Sequence, residues 1–340
     1  MTHRICLIPG DGVGQEVIPA AAEVLQATGL PLAFEWADAG WACFERTGNA
    51  LPDATVDAIR ACGVAMFGAT QSPMRKVEGY RSPILAMRRT FDLYANVRPT
   101  RSLPVPETRP GLDFVIFREN TEGLYAGRER REGDTAIAER VITRAASERI
   151  GRAACETAAG RAVRRLGGRA RLTIVHKANV LSITDGLFRD TVRGVAADYP
   201  MLDVDEMLVD AAAMVMVKNP ARFDVIVTTN LFGDILSDEA AGLVGGLGVA
   251  PSANLGPDVA VFEPVHGSAP DIAGQGIANP VGAILSAAML LTRLGEADAA
   301  AQVEAAVAAV LAAGMRTPDL GGSATTTEVT QSIAARLRNG

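Results

Sequence analysis

The sequence predicts an α/β fold built on a mostly parallel sheet. One observation predicts it, and a second places the chain among globular proteins. Apolar, strand-like runs alternate with helix-like segments for most of the 340 residues, the pattern that places crossover helices between parallel strands. The composition is 48% apolar and 21% charged, ordinary usage for a globular chain that can bury a core without disulfide or metal staples. At about 150 residues per domain this length corresponds to roughly two domains. Collagen-like, disordered and disulfide-scaffold classes are excluded.

Arg4–Ile8 is a short β-type run that turns at Gly10–Gly14, and Glu16–Ala27 has helical spacing ending at Gly29. Leu32–Trp36 reads as a strand. Asp53 is a good N-cap for a helix through Ala61, with Gly63 behind it. Val64–Phe67, Asp113–Phe117, Leu172–His176, Val204–Val209 and Phe223–Thr228 are further strands. Ile150–Leu166, Thr184–Ala197, Leu231–Leu243 and Glu296–Ala313 are further helices. Asn96–Pro110 and Gly242–Pro257 are rich in turn formers and read as hinges. If both cross between lobes, the middle of the chain forms one domain and the two ends together form the other.

The net charge is −6, which argues against nucleic-acid binding through a basic face. Only Lys76, Lys177 and Lys218 are lysines, so each invites a functional question. Cys6, Cys43, Cys62 and Cys155 form no C-x-x-C pair and fit no zinc spacing, so they read as reduced thiols. The N-terminal apolar run is too short for a secretory signal. Val281–Leu291 is far short of the ~20 residues that span a bilayer. No targeting or membrane segment is visible, and a cytoplasmic location is expected.

Five segments carry chemistry. Gly10-Asp11-Gly12-Val13-Gly14 lies between a strand and a helix, but its third glycine comes one residue early for a dinucleotide fingerprint. Asp11 would also oppose a pyrophosphate, so a tight packing turn is the better reading. Asp234 and Asp238, four apart on a helix, share a face. Carboxylates so placed suit a hard divalent ion such as Mg²⁺ or Mn²⁺, or else form a solvated acidic face. A third carboxylate, Asp210, ends another apolar run. Arg88, Arg98 and Arg118 lie in or after apolar runs, where planar guanidinium groups can grip small carboxylates; Arg89 reads as surface. Lys177, in His176-Lys177-Ala-Asn179, stands at a strand end, where a lysine beside other cations yields its proton more readily and can act as a base. The ordinary reading is a surface lysine, and His176 reads as structural. Phe262–Asp271 and Asn279 form a long loop with many free backbone N–H groups, suited to a nucleotide. A carboxylate there would bond ribose hydroxyls and select NAD over NADP.

Taken in order, Gly10-Asp-Gly-Val-Gly, Tyr94-Ala-Asn-Val-Arg98-Pro, Arg118-Glu-Asn-Thr-Glu-Gly-Leu-Tyr125, His176-Lys177-Ala-Asn-Val, Asn230-Leu-Phe-Gly-Asp-Ile-Leu-Ser-Asp238 and Glu263-Pro-Val-His-Gly-Ser-Ala-Pro-Asp271 resemble the β-decarboxylating dehydrogenases. These are the isocitrate, isopropylmalate, homoisocitrate and tartrate/malate enzymes. The resemblance runs from about residue 4 to about residue 330. Arg81-Ser-Pro-Ile-Leu-Ala-Met-Arg88 with Leu93–Pro99 is most similar to the homoisocitrate branch.

The resemblance implies an isocitrate/isopropylmalate dehydrogenase-like fold, with two domains around a cleft and non-Rossmann dinucleotide binding. Residues 1–98 and 246–340 would form the larger domain with the NAD loop. Residues 99–245 would form the smaller domain with the dimer interface and the metal and catalytic residues. It implies Tyr125 and Lys177 as catalytic residues and Asp210, Asp234 and Asp238 as ligands of Mg²⁺ or Mn²⁺. Asp210 and Lys177 would come from a partner copy. Substrate would be bound by Ser72, Ser82, Arg88, Arg98, Arg118, Tyr125, Lys177 and Asn179. NAD would be bound by Thr70, Gln71, Ser72, Asn179, His266, Gly267, Ser268, Ala269, Pro270, Asp271 and Asn279.

The expected reaction is NAD-dependent oxidation and decarboxylation of homoisocitrate, a tricarboxylate, to 2-oxoadipate in lysine biosynthesis through α-aminoadipate. A homodimer with shared active sites, or a tetramer made of two such dimers, is the expected assembly, with no nucleic acid or membrane partner. Isocitrate enzymes of the family place a serine and an asparagine within this 81–88 segment; here Ser82 is kept and Ile84 stands at the asparagine's place. Some homoisocitrate enzymes carry an arginine where this chain has Leu85, which permits isocitrate turnover. Isocitrate or 3-isopropylmalate as main substrate, a Rossmann 2-hydroxy-acid dehydrogenase without metal, and a non-catalytic regulatory paralogue are the alternatives.

Overall fold

The first apolar run becomes β1 (His3–Gly10), and the chain then forms α1 (Gly14–Ala27), β2 (Leu32–Trp36), α2 (Trp41–Thr47), α3 (Asp53–Cys62), β3 (Val64–Ala69) and α4 (Pro83–Thr90). There follow β4 (Ala95–Arg101), β5 (Asp113–Glu119), the hairpin β6 (Glu129–Glu132) and β7 (Thr135–Ala138), α5 (Arg144–Val163), β8 (Ala170–His176), α6 (Thr184–Ala196), β9 (Leu202–Leu208), α7 (Val209–Lys218), β10 (Val225–Thr228) and α8 (Asn230–Gly242). The chain closes with β11 (Pro251–Leu255), β12 (Ala260–Pro264), α9 (Val281–Arg293), α10 (Ala297–Ala312) and α11 (Thr326–Asn339). The structure, a computed structural model, describes residues 2–73, 75, 77–163 and 169–339. It separates into two units, Met1–Leu93 with Leu103–Thr108 and Val244–Gly340, and Tyr94–Ser102 with Arg109–Leu243.

In the first unit the strands run in the order β2-β1-β3-β12-β11. All neighbours are parallel except β11 and β12. Cys6, Ile8, Ile59, Phe67, Met87, Leu93 and Val261 are part of one buried cluster there. In the second unit the order is β4-β5-β10-β8-β9, parallel except for β4 against β5. α5 covers β5, β8 and β10 with the face Ile150, Ala154 and Ala158. Buried parallel strands read as continuous apolar runs, and β3 and β10 are buried at every position. The chain is therefore a mixed α/β protein with mostly parallel sheet, as its sequence predicts.

Several boundaries differ from the sequence reading. β9 stops at Leu208, and Val209 opens a helix with Asp210 in its first turn, where an acid favours the helix dipole. α5 starts at Arg144 rather than Ile150, because its first buried positions, Ala146 and Ser147, are too small to mark a hydrophobic stripe; the expected continuation over 164–166 lies outside the described residues. Asp53 is the first helical residue of α3, behind Pro52 at the cap. Of the segment Asn96–Pro110 read as a hinge, the residues through Arg101 belong to β4, since the fixed φ of Pro99 suits extended backbone, and the division into two units falls at Ser102–Leu103 and Thr108–Arg109.

All four cysteines are free thiols, and burial pushes those of Cys6 and Cys155 up to about 12. Among the described residues no helix is long and apolar enough to cross a membrane.

Candidate active site

In the second unit, β4, β5 and α8 bring one charged cluster together. The buried strand β10 delivers the chain to Thr229, which caps α8, so Asp234 and Asp238 project one turn apart. Arg118 ends up 1% exposed on β5. Its Nε and Nη2 both donate to Asn230 Oδ1, at 2.9 and 2.8 Å, and its Nη1 donates to Asp234 Oδ1. A Cβ at Gly233 would stand 2.6 Å from Arg118 Cβ. Only glycine therefore lets α8 lie this close to the guanidinium stem. On β4, Arg98 donates from Nε to Asn96 Oδ1 at 2.7 Å, and from Nη1 to Ser237 Oγ at 2.6 Å and Asp238 Oδ1 at 3.0 Å.

Tyr125 completes this cluster. It lies in the short helical turn Leu124–Ala126, donates its hydroxyl to Asp234 Oδ2, and has the Arg118 guanidinium 5.1 Å from its ring centre. The preceding turn is locked by Glu119, whose carboxylate accepts the Thr121 and Glu122 N–H groups and the Thr121 hydroxyl. Burial, and then the neighbouring Asp234 carboxylate, push the Tyr125 phenol above its ordinary value. Burial likewise pushes the Asp238 carboxyl up, against the pull of Arg98. The supporting residues Asn96, Asn230, Ser237 and Glu119 received no role from sequence reasoning. For Asn230 and Gly233 a signal existed, their fixed place in the Asn-Leu-Phe-Gly-Asp run.

Lys177 and Asp210 form a separate pair. Lys177 follows β8, and its Nζ donates to Asp210 Oδ1 at 2.5 Å. That bond, first among the causes, holds the Asp210 carboxyl below its ordinary value. Among the described residues no three His, Cys, Asp or Glu side chains gather where one ion could be held. Asp210 thus does not join Asp234 and Asp238 within one chain. Asn179 is exposed. Val180 and Ile183 after Lys177, Met214 and Val217 on α7 and Ile235 on α8 are exposed apolar side chains.

His176 is buried, and its Nδ1 accepts the Ala178 N–H at 3.1 Å. Burial lowers its proton affinity in the fold. The unfolded chain therefore binds more protons just below the ordinary histidine value, and stability rises with pH there. The contribution is complete above about pH 6.5 and is lost as the pH falls through the depressed folded value. Urea unfolding at pH 7.5 and 5.5 is expected to show a smaller loss of midpoint on acidification for His176→Asn than for the wild type.

In the first unit, the early glycine motif is a seat for the 266–271 loop. A Cβ at Gly12 (φ +56°) would stand 2.0 Å from Ser268 O, and the Val13 N–H donates to that carbonyl at 2.9 Å. Asp11 is 5% exposed and accepts the backbone N–H groups of Trp41, Ala42 and Gln71 at 2.6, 3.0 and 2.9 Å. Its charge is consumed in fixing two loops, which is why the motif misfits a phosphate site. The loop after β12 leaves Gly267, Pro270 and Asp271 exposed and buries Ser268. Ala269 sits at φ +38°, a left-handed conformation uncommon outside glycine.

His266 meets Gly267 O at 2.9 Å, and burial favours its neutral form. Asn279 donates to Asp319 Oδ2 at 2.9 Å and accepts the Val281 N–H at 3.0 Å, fixing the start of α9. Thr70 is partly buried, whereas Gln71 and Ser72 are exposed. Arg88 on α4 lies 3.6 Å from Glu263, and Ser82 stands at the N-cap of that helix.

The fold and these clusters define an enzyme of the decarboxylating dehydrogenase class. The chain belongs to the isocitrate/isopropylmalate dehydrogenase family, whose model matches residues 4–333. An isocitrate/homoisocitrate dehydrogenase of Thermus thermophilus is 62% identical over 307 residues, 90% of each chain. A homoisocitrate dehydrogenase of Methanocaldococcus jannaschii is 50% identical, covering 86% of each chain. A 3-isopropylmalate dehydrogenase of Methanothermobacter thermautotrophicus is also 50% identical, covering 89% of each. The crystal structure of isocitrate dehydrogenase from Methylococcus capsulatus superimposes with a TM-score of 0.92 at 46% identity, covering 99% of each chain.

Proposed function

We propose that this chain catalyses the NAD-dependent, metal-dependent oxidative decarboxylation of homoisocitrate to 2-oxoadipate and CO₂, in lysine biosynthesis in the cytoplasm. The observation that carries this reading is the Arg98–Arg118–Tyr125–Asp234–Asp238 cluster. Two guanidinium groups there donate to two carboxylates, and one of those carboxylates, Asp234, accepts the Tyr125 hydroxyl. The cluster's charges balance internally. A divalent cation on the aspartates would free both arginines for an anionic substrate, and hard oxygen donors suit Mg²⁺ or Mn²⁺. Asp234 and Asp238, with Asp210 of the partner subunit, would hold the ion. When bound, it would supply electron withdrawal from the substrate's hydroxyl and, after oxidation, carbonyl oxygen.

The residues of the chain then divide the remaining work. Arg98 and Arg118 grip substrate carboxylates bidentately. Lys177 takes the hydroxyl proton as hydride leaves C2 for NAD, and Asn179 meets substrate and nicotinamide. The β-carboxylate departs as CO₂, and the Tyr125 hydroxyl delivers its proton to the carbon left behind. Thr70–Ser72, the 266–271 loop and Asn279 serve NAD, with Asp271 at the ribose hydroxyls. The exposed apolar side chains on the loop after Lys177, on α7 and on α8 support a homodimer, or a tetramer made of two such dimers, with shared sites.

Substrate choice falls to α4. Leu85 and Arg88 are three apart on one face of it, beyond Ser82 at its cap, while Ile84 packs toward the core. The relative with 62% identity carries both isocitrate and homoisocitrate in its name. Leu85 offers no charge to a shorter tricarboxylate, so homoisocitrate ranks first. The test is a panel of homoisocitrate, isocitrate, 3-isopropylmalate, tartrate and malate with NAD and NADP, with and without EDTA. Homoisocitrate with NAD is expected to give the highest kcat/KM. Isocitrate is expected to be lower by about 10–200-fold, the reach of one methylene of fit, and EDTA should abolish turnover. Comparable turnover of 3-isopropylmalate overturns the ranking. EDTA-insensitive turnover overturns the metal.

A further inference from the structure

We propose that the buried Asp185–Arg140 ion pair is a positioning device that locks the backbone of Lys177 to the start of α8, the helix of Asp234 and Asp238. Asp185, in the first turn of α6, is fully buried. Its Oδ2 accepts the Lys177 N–H at 2.7 Å, and its Oδ1 lies 2.7 Å from Arg140 Nη2. The same Nη2 donates to Thr229 Oγ1 at 2.8 Å, and the guanidinium lies 4.6 Å from the centre of the Phe232 ring. Thr229 caps α8, and Phe232 is in its first turn. One guanidinium thus touches the cap and first turn of α8 and, through one carboxylate, the residue that opens the Lys177 loop.

Strand geometry explains why a tie is needed here. β8 and β10 are parallel neighbours, with Val175 opposite Thr228. The β8–β10 ladder ends at this pair, and beyond it the two segments diverge. No sheet hydrogen bond fixes Lys177 relative to α8 beyond that point. A buried ion pair is seldom favoured on stability grounds over apolar side chains of the same size, so its place at this junction is better explained by orientation. The inference rests on the reading given above, in which the Lys177 held beside one copy's α8 serves the site that carries the other copy's Asp234 and Asp238.

The experiment compares Asp185→Asn, Arg140→Met, their double variant and Thr229→Val, by thermal melting and by steady-state kinetics with homoisocitrate and NAD. Each single change at the pair leaves a buried charge unpaired, and both are expected to melt lower. The double variant removes both charges and is expected to regain most of the melting temperature. Its kcat should nonetheless stay down by roughly ten- to a hundredfold, the scale on which misplacing a reacting group by about 1 Å acts, with the KM for NAD unchanged. Thr229→Val leaves the pair and the Phe232 contact intact and removes the hydrogen bond from Arg140 to the α8 cap. It is expected to keep its melting temperature and lose kcat severalfold. Wild-type kcat in a folded double variant, or in Thr229→Val, overturns the proposal. Lys177→Met and Asp234→Asn serve as controls. If both keep wild-type turnover, the reading of the site has failed rather than the positioning role.

Discussion

Asp234→Asn is expected to leave a folded protein whose turnover falls by about a thousandfold, the scale of losing one preorganised electrostatic group at a reacting centre. Asp234 is the junction of the cluster, since its Oδ1 accepts Arg118 Nη1 and its Oδ2 accepts the Tyr125 hydroxyl. Asparagine has nearly the same shape but presents an N–H group to one of these two donors. It also removes the charge that a hard cation requires. The side chain is about a third exposed (31%), so its ion pairs contribute little to stability in that partly screened position, and the melting temperature should move by a few degrees at most. Circular dichroism melting with kinetics across a Mn²⁺ titration separates the two effects. Normal kcat in this variant would refute the assignment of the whole cluster.

Lys177→Met is expected to lose about 10²–10⁴-fold in kcat, the usual contribution of a positioned proton-transfer group. Its ion pair with Asp210 lies at the surface, with 25% and 65% of the two side chains exposed, so folding should be nearly unaffected. The stronger outcome concerns mixtures. If Lys177 serves the site that carries the other copy's Asp234, a heterodimer of Lys177→Met with Asp234→Asn holds one site with both native residues and one with neither. Random reassociation makes about half of the dimers mixed, so two nearly inactive variants should together recover roughly a quarter of wild-type activity. Mixed dimers that form, by native mass spectrometry, yet recover nothing would show that both residues serve one chain's site.

The elements of the site were unevenly legible. Asp234 and Asp238 could be paired from their spacing alone, because helical geometry sets which residues share a face. Arg98 and Arg118 could be suspected from their place in apolar strands. That both arginines turn toward those aspartates could not be foreseen, because it depends on β4 running antiparallel to β5 and on α8 packing over β5. Asp11 could be rejected as part of a phosphate loop from the glycine spacing, yet its partners Trp41, Ala42 and Gln71 lie 30 to 60 residues away and leave no local trace. Arg140 was one of thirty arginines, and Asp185 an acid in an ordinary first turn. Nothing near either residue in the sequence marks them as paired.

The order of residues alone determined the strand–helix alternation, the parallel character of the sheet and the stock of carboxylates, guanidinium groups and one special lysine. Those are consequences of periodicity and side-chain chemistry, which act over a few residues. Tertiary structure alone decided which charges meet. Strand register and the close approach of α8 at Gly233 bring Arg118, Tyr125 and Asp234 together while leaving Lys177 and Asp210 as a separate pair. A buried charge is tolerated only where folding delivers its partner, and that delivery is a property of packing, with no counterpart in any local stretch of the chain.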